Sequence, residues 1–262
     1  MRAIADEALT SRVEDAGLNA SAPPQQRWLD GWLVRLSPGK AKRARCVNAV
    51  AAGRLPLADK LARCEAAYAQ AGLPFFVRIT PFTQPASLDA ELEQQGWARI
   101  DDTRVMVLPS LAPAIDRQTQ ADWLQGAQLK RLDAVAFAEA VGELRGSPAS
   151  QRAAHAQRLM TSPVPYTGWA LMVDGHLVAC GQFAVEDDLV GLYDVFTAPS
   201  HRGQGWASQL CRSMLQGAHA LGARCAYLQV DAANSPARAV YHRLGFTDAY
   251  AYHYRCRDAS AT

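Results

Sequence analysis

The stretch Leu189–Met214, LVGLYDVFTAPSHRGQGWASQLCRSM, constrains what this chain can fold into more than any other. Leu189 to Phe196 reads as a buried strand, Pro199 as a turn, and a helix opens near Gln204. Between strand and helix lies Arg202-Gly203-Gln204-Gly205-Trp206-Ala207. A helix start leaves backbone N–H groups without partners and carries about half a positive charge. Gly203 and Gly205 remove side chains that would keep a ligand from those groups, and Arg202 adds a forked cation. Such a turn can cradle a diphosphate. The same residues also serve as a tight strand-to-helix connection and nothing more.

The sequence downstream of this helix narrows the choice. A second strand, Ala226 to Val230, leads into Asn234-Ser-Pro-Ala237-Arg-Ala-Val-Tyr241-His-Arg-Leu-Gly245-Phe246. The order strand, RxxGxA, helix, strand, N-x-x-A-x-x-x-Y-x-x-x-GF resembles the GNAT superfamily of acyl-CoA-dependent N-acyltransferases. The resemblance covers roughly residues 189 to 254, with both motifs in the family's order and separation.

Composition sets outer bounds. The 262 residues are 49% apolar and 20% charged, which is ordinary for a globular protein, and no apolar run is long enough to cross a bilayer. A net charge of +2 argues against nucleic acid as the main partner, which usually demands a strong basic excess. The six cysteines show no CxxC spacing and read as reduced core thiols. The N-terminal MRAIADEALTSRVEDAG is polar and helical in period, unlike a secretory signal, so a cytoplasmic protein is expected. No HExxH, GxSxG or Gly-Lys-Ser/Thr sequence occurs, so metal hydrolysis, a serine elbow and nucleoside triphosphate hydrolysis are not supported.

Along the chain the same series of elements occurs twice. Helix 57–71, Gly72, strand 75–79, helix 88–95, Gly96 and strand 103–108 parallel helix 207–221, Gly222, strand 226–230, helix 236–244, Gly245 and strand 250–255. In the first copy the turn segment reads Ala51-Ala-Gly-Arg-Leu-Pro-Leu57, without a second glycine and with Pro56 removing a donor. We therefore expect an α/β (α+β) protein of two GNAT-like lobes, each a mixed, mostly antiparallel sheet flanked by helices. Residues 1–110 would be a degenerate lobe and 111–262 the acetyl-CoA-binding one. Pro109 to Thr119 reads as a linker, Asp122 to Leu144 and Ser150 to Met160 as helices, and Thr167 to Val185 as a hairpin turned at Asp174-Gly175. Lys40, Lys42, Arg43 and Arg45 crowd another turn and read as a solvated tip or a positive rim.

The resemblance assigns roles residue by residue. The main chain of Val195, Phe196 and Thr197 would pair with the pantetheine amides like an added strand. The segment Arg202, Gly203, Gln204, Gly205, Trp206, Ala207 and Ser208 would take the diphosphate. Asn234 matches the family asparagine near the pantetheine arm, though it is equally a helix N-cap before Ser235-Pro236. Tyr241 matches the tyrosine near the thioester sulfur, where a phenol with pKa around 10 can protonate a departing thiolate. It is otherwise a core tyrosine with its hydroxyl at the surface.

The general base is less well marked. Several relatives carry a glutamate five residues before the asparagine, and here that position is Gln229, which cannot act as a base. Asp194 interrupts an apolar strand, where a carboxylate is costly unless bonded or used. It is named as the base, with a structural hydrogen bond as the other reading, and Glu186 and Asp231 as substitutes. The expected function is transfer of an acetyl group from acetyl-CoA to a primary amine, with no metal, no nucleic acid and no membrane partner, by a monomer or homodimer. The alternative is an acyl-CoA-binding regulatory module that kept the grip and lost the chemistry.

Overall fold

The computed structural model describes residues 7–112 and 126–257. In chain order its elements are α1 (Glu7–Ala20), β1 (Gln26–Leu29), β2 (Trp32–Arg35), β3 (Val47–Ala49), α2 (Leu57–Gln70), β4 (Val77–Ile79), α3 (Leu88–Gln94) and β5 (Ala98–Leu108). Next come β6 (Ala127–Leu132), α4 (Ala134–Arg145), α5 (Ala149–Met160), β7 (Tyr166–Val173), β8 (His176–Glu186) and β9 (Leu189–Thr197). The series closes with α6 (Trp206–Ala220), β10 (Cys225–Asp231), α7 (Ser235–Arg243) and β11 (Thr247–Cys256). By compactness they form two units. One gathers α1, Val105–Val230 and Asn234–Ala249; the other gathers Ser21–Arg104, Asp231–Ala233 and the chain from Tyr250.

The first unit has the strand order β5-β10-β9-β8-β7-β6. Strands β6 to β9 run antiparallel in sequence, and β9 and β10 are parallel with α6 as their crossover. The β7–β8 hairpin turns at Asp174 (φ 48°) and Gly175 (φ 80°), the pair of positive angles that a two-residue hairpin loop requires. One face of the sheet packs on α6, where Leu210, Cys211, Met214 and Leu215 meet Ala179, Phe183, Val190 and Leu192. On β8, Cys180 alternates with Ala179 and faces the opposite side, joining Phe137, Val141 and Leu159 of α4 and α5. Each fully buried Leu, Val, Met or Phe among them contributes roughly 1.5–3 kcal/mol.

The helix expected over 122–144 is corrected by the structure. Residues 122–125 lie outside the described residues, 127–132 are β6, and the helix begins only at Ala134. In AQLKRL, Ala127 and Leu129 face the core and Gln128 and Lys130 are exposed, a period of two that the adjoining Ala-rich run obscures. Asp133 then caps α4 by accepting a hydrogen bond from the Ala136 N–H.

The second unit has the order β1-β2-β3-β4-β11. Strand β3 is antiparallel to β2, and β3 and β4 are parallel with α2 as their crossover. Trp32, Val34, Cys64, Tyr68, Leu88 and Trp97 form its core. Lys42 and Arg45 sit over the Phe76 ring, at 5.2 and 5.6 Å, and Lys42 pairs with Asp101 at 2.7 Å. These two cations are therefore held by an aromatic ring and a carboxylate.

The parallel pairs β3/β4 and β9/β10, each succeeded by a short helix, repeat the same series, as the spacing of the glycines indicates. The last strand of each series is divided between the units, β5 at Arg104/Val105 and β11 at Ala249/Tyr250. Compactness thus runs along a different line from a single cut near residue 110, because each unit draws on both halves of the chain.

Candidate active site

The site is made by two parallel strands that part. Strand β10 is in register with β9 from Cys225↔Leu189 to Leu228↔Leu192. The pairing stops there, although β9 continues to Thr197 and β10 to Asp231. The cause lies in β9. Its register against β8 steps from Gln182↔Tyr193 to Cys180↔Phe196, so that Asp194 and Val195 together face Gly181. Asp194 takes a positive φ of 51° at this bulge. A bulge bends and twists its strand, which carries the Val195–Thr197 edge away from β10.

The cleft so opened has a volume of about 530 Å³. The strand end contributes Val195, Phe196 and Thr197, and the turn and first helical residues contribute His201, Arg202, Gly203, Gly205, Trp206, Ala207 and Ser208. Helix α7 contributes Asn234, Pro236, Ala237, Ala239, Val240, Tyr241 and Arg243. Among the described residues, no aspartate or glutamate lines it.

Gly203 and Gly205 have φ of 77° and 87°. A Cβ at either would meet nothing within 4 Å, so glycine answers a conformational need here, with the open space left for a ligand as its by-product. Arg202 packs over the Phe196 ring at 5.5 Å and donates from Nε to the Thr197 carbonyl at 3.3 Å. Gln204 alone among the expected contact residues does not line the cleft. Its side chain accepts from the Trp206 indole at 3.0 Å and donates to the Ser200 carbonyl at 3.3 Å, bracing the turn from within. The Thr197 hydroxyl is buried at the cleft without a hydrogen-bond partner among the described residues.

Asn234 caps α7, its Oδ1 accepting from the Ala237 N–H at 3.2 Å, and the residue also lines the cleft. Tyr241 is buried against Phe246, with ring centroids 6.1 Å apart, and also lines the cleft. Burial, and secondarily the nearby Cys211, push its phenol well above the ordinary value, so it remains an O–H donor at any physiological pH.

The expected carboxylates are elsewhere. Asp194 is gripped by Arg145 of α4 at 3.0 Å and by Gln182 Nε2 at 2.8 Å, with His155 of α5 at 3.4 Å. Burial pushes its carboxyl up, but the contact from His155 and the charges on Arg145, His155 and Arg158 outweigh this and hold it well below the usual range. A carboxylate so stabilised is a poor proton acceptor. Its geometry assigns it the structural reading, a clasp joining the bulge to α4 and α5. Glu186 accepts from Asn19 at 2.7 Å, Asp231 caps the Ala233 N–H at 2.8 Å, and neither lines the cleft. Gln229 lies against α1, where a Cβ on Gly17 would come within 2.9 Å of its amide nitrogen.

Sequence reasoning missed the apolar wall of α7, together with His201 and Arg243. The wall was readable: Ala237, Val240 and Tyr241 recur at three and four residues on one helical face. Which of His201, Arg238, His242 and Arg243 face the cleft depends on tertiary placement and carries no local signal.

Parting parallel strands, a glycine turn into a helix, and a short tyrosine-bearing helix are the arrangement that the sequence resemblance implies. The chain matches the acetyltransferase (GNAT) family over residues 132–246, so its C-terminal region carries a GNAT domain. It is similar to the protein called "Uncharacterized N-acetyltransferase YobR" of Bacillus subtilis (strain 168), at 25% identity over 232 residues, 88% of this chain and 92% of that one. Among solved structures it is similar to a GCN5-related N-acetyltransferase from Kribbella flavida (TM-score 0.67, 17% identity, 94% of each chain covered). It also resembles a tandem GNAT protein from the clavulanic acid biosynthesis pathway (TM-score 0.58, 16% identity, 77% of this chain and 70% of that one).

Proposed function

We propose that this protein transfers an acetyl group from acetyl-CoA to a primary amine. The observation that carries the reading is the cleft itself, a strand edge released by a bulge and continued by a glycine turn, with Arg202 and Arg243 in its lining. Bound there, acetyl-CoA would supply the activated thioester. The released edge at Val195–Thr197 would accept the pantetheine amides as a further strand. The N–H groups from Gly203 to Ser208, with Arg202, would hold the diphosphate. Asn234 would contact the pantetheine arm with the amide nitrogen that its cap leaves over.

Tyr241 would donate its hydroxyl hydrogen to the sulfur as the thioester opens. Its raised pKa suits it to hydrogen-bond the thiolate throughout, with the proton completing its transfer as charge builds on sulfur. Among the described residues no carboxylate lines the cleft, and on this reading the amine would lose its proton to water rather than to Asp194. Residues 1–110 and 111–262 would be the two copies of one ancestral lobe, the first without the phosphate grip.

The test is to mix the protein with acetyl-CoA and a panel of primary amines and follow free thiol. Turnover is expected, and Tyr241→Phe should lower kcat about a hundredfold with little change in the KM for acetyl-CoA. The missing carboxylate and Gln229 favour a second reading, an acyl-CoA-binding regulatory module. Tight acetyl-CoA binding with no turnover on any amine would select it.

A further inference from the structure

In the second copy of the repeat the glycines of the strand-to-helix turn face open space; in the first copy the matching space is filled from within. Strand β3, residues 50–56, α2 and β4 stand in the same series as β9, its turn, α6 and β10. Gly53 has a φ of 73°, close to the 77° of Gly203, yet a Cβ there would collide with the Asp30 carboxylate and the Lys60 ammonium. The carboxylate accepts from the Arg54 N–H at 2.9 Å and from the Leu55 N–H at 2.8 Å, at the N-terminus of α2. These are the last main-chain donors before Pro56, which has none. Lys60, in the first turn of α2 and 1% exposed, closes the other side, 3.2 Å from the carboxylate and bonded to the Ala52 carbonyl. A lysine so buried requires a partner. The Leu55 and Arg54 N–H bonds, and after them Lys60, hold the Asp30 carboxyl below its ordinary value against the opposing effect of burial.

The carboxylate arrives on the β1–β2 hairpin. Asp30 and Gly31 have φ of 45° and 84°, nearly the angles of Asp174 and Gly175 at the tip of β7–β8. The difference lies in length. Gly31 directly precedes Trp32, which pairs with Ala49 at the end of β3. His176, Leu177 and Val178 intervene between Gly175 and Ala179, which pairs with Thr197 at the end of β9. The shorter hairpin therefore sets its tip on the turn, where the Ala51 N–H donates to the Gly31 carbonyl at 2.9 Å. Free main-chain donors at a helix start, with a cation beside them, are what a phosphate seeks. We propose that Asp30 is a built-in anion, seated in what remains of the first copy's phosphate grip, and that it closes this lobe to a second donor molecule. The inference takes its analogy from the reading of residues 203–208 above, and its test separates the two.

The test uses the full-length protein, wild type and Asp30→Gly, isotope-labelled and titrated with inorganic phosphate against sodium chloride of equal ionic strength. Glycine accepts the positive φ at position 30, so the variant loses the carboxylate without straining the hairpin. Its Arg54 and Leu55 amide resonances should shift saturably with phosphate. Its melting temperature should start below that of the wild type and rise further with phosphate than the wild type's does. In the wild type those two resonances should stay in place, because the carboxylate already holds them. Phosphate that leaves them unmoved in Asp30→Gly, or moves them as far in the wild type, would overturn the proposal. So would recovery by acetate alone, which would mark a notch shaped for a carboxylate. If Asp30→Gly does not fold, Asp30→Asn keeps the shape and one acceptor oxygen; its two resonances should respond more weakly than a vacant turn but more than the wild type's, and no response would overturn the proposal. Calorimetry of the wild type with acetyl-CoA should give one molecule per chain. Two would refute the closure; none would refute the donor reading and leave the phosphate titration to decide this one.

Discussion

Asp194 shows how one residue can be conspicuous for the right reason and yet have a different role. An acidic side chain inside LVGLYDVF has to be used, and it is, though its partners Arg145 and Gln182 are 49 and 12 residues away and could not be read from the strand. Because its carboxyl is held well below the usual range, it contributes stability that is fully present above the unfolded-state pKa of about 3.9 and is lost as pH falls through its lower folded value. Asp194→Asn keeps an oxygen for Gln182 but surrenders the charge that Arg145 faces. The variant should be less stable by about 1–2 kcal/mol at pH 7, judged by typical charged hydrogen bonds and partly exposed pairs. That gap should narrow as the pH is lowered below about 4 and through the carboxyl's depressed folded value, since the wild type loses its advantage on protonation. Urea unfolding of both proteins across that range measures it, and a gap that stays constant or widens on acidification would exclude the clasp.

At the scale of elements, the site is one strand, one turn and two helices, and most of it could be read from the sequence. Strands β9 and β10 and helix α6 fall within one or two residues of the expected positions because their apolar periods are strong and glycine or proline marks their ends. Strand β1 gives no sequence signal because Gln26–Leu29 is short and largely exposed, with no alternation to reveal it. Strand β6 is hidden by the alanine-rich helix after it. The turn makes its own prediction. Gly205 is the N-cap of α6 at φ 87° and ψ −6°, a left-handed conformation that costs an L-residue about 1–2 kcal/mol. Since an added Cβ would meet no atom within 4 Å, Gly205→Ala should fold normally and melt a few degrees lower, about 2–4 °C per kcal/mol for a chain of this size. An unchanged melting temperature would show that the turn is not held in that conformation.

For the molecule as a whole, the repeat visible in the glycine spacing became two units with the same parallel-strand crossover, but the sequence did not show how the last strands are shared. Strand partnership is a tertiary choice that leaves no local signature. No helix among the described residues is long and apolar enough to cross a membrane. The central claim concerns one place only, the released edge of β9 and the glycine turn beyond it. Titration of isotope-labelled protein with acetyl-CoA, monitored by backbone amide resonances, tests it most directly. Saturable shifts concentrated at residues 195–197 and 203–208 are predicted; saturation with those resonances unmoved, or shifts gathered on another surface, would contradict the account.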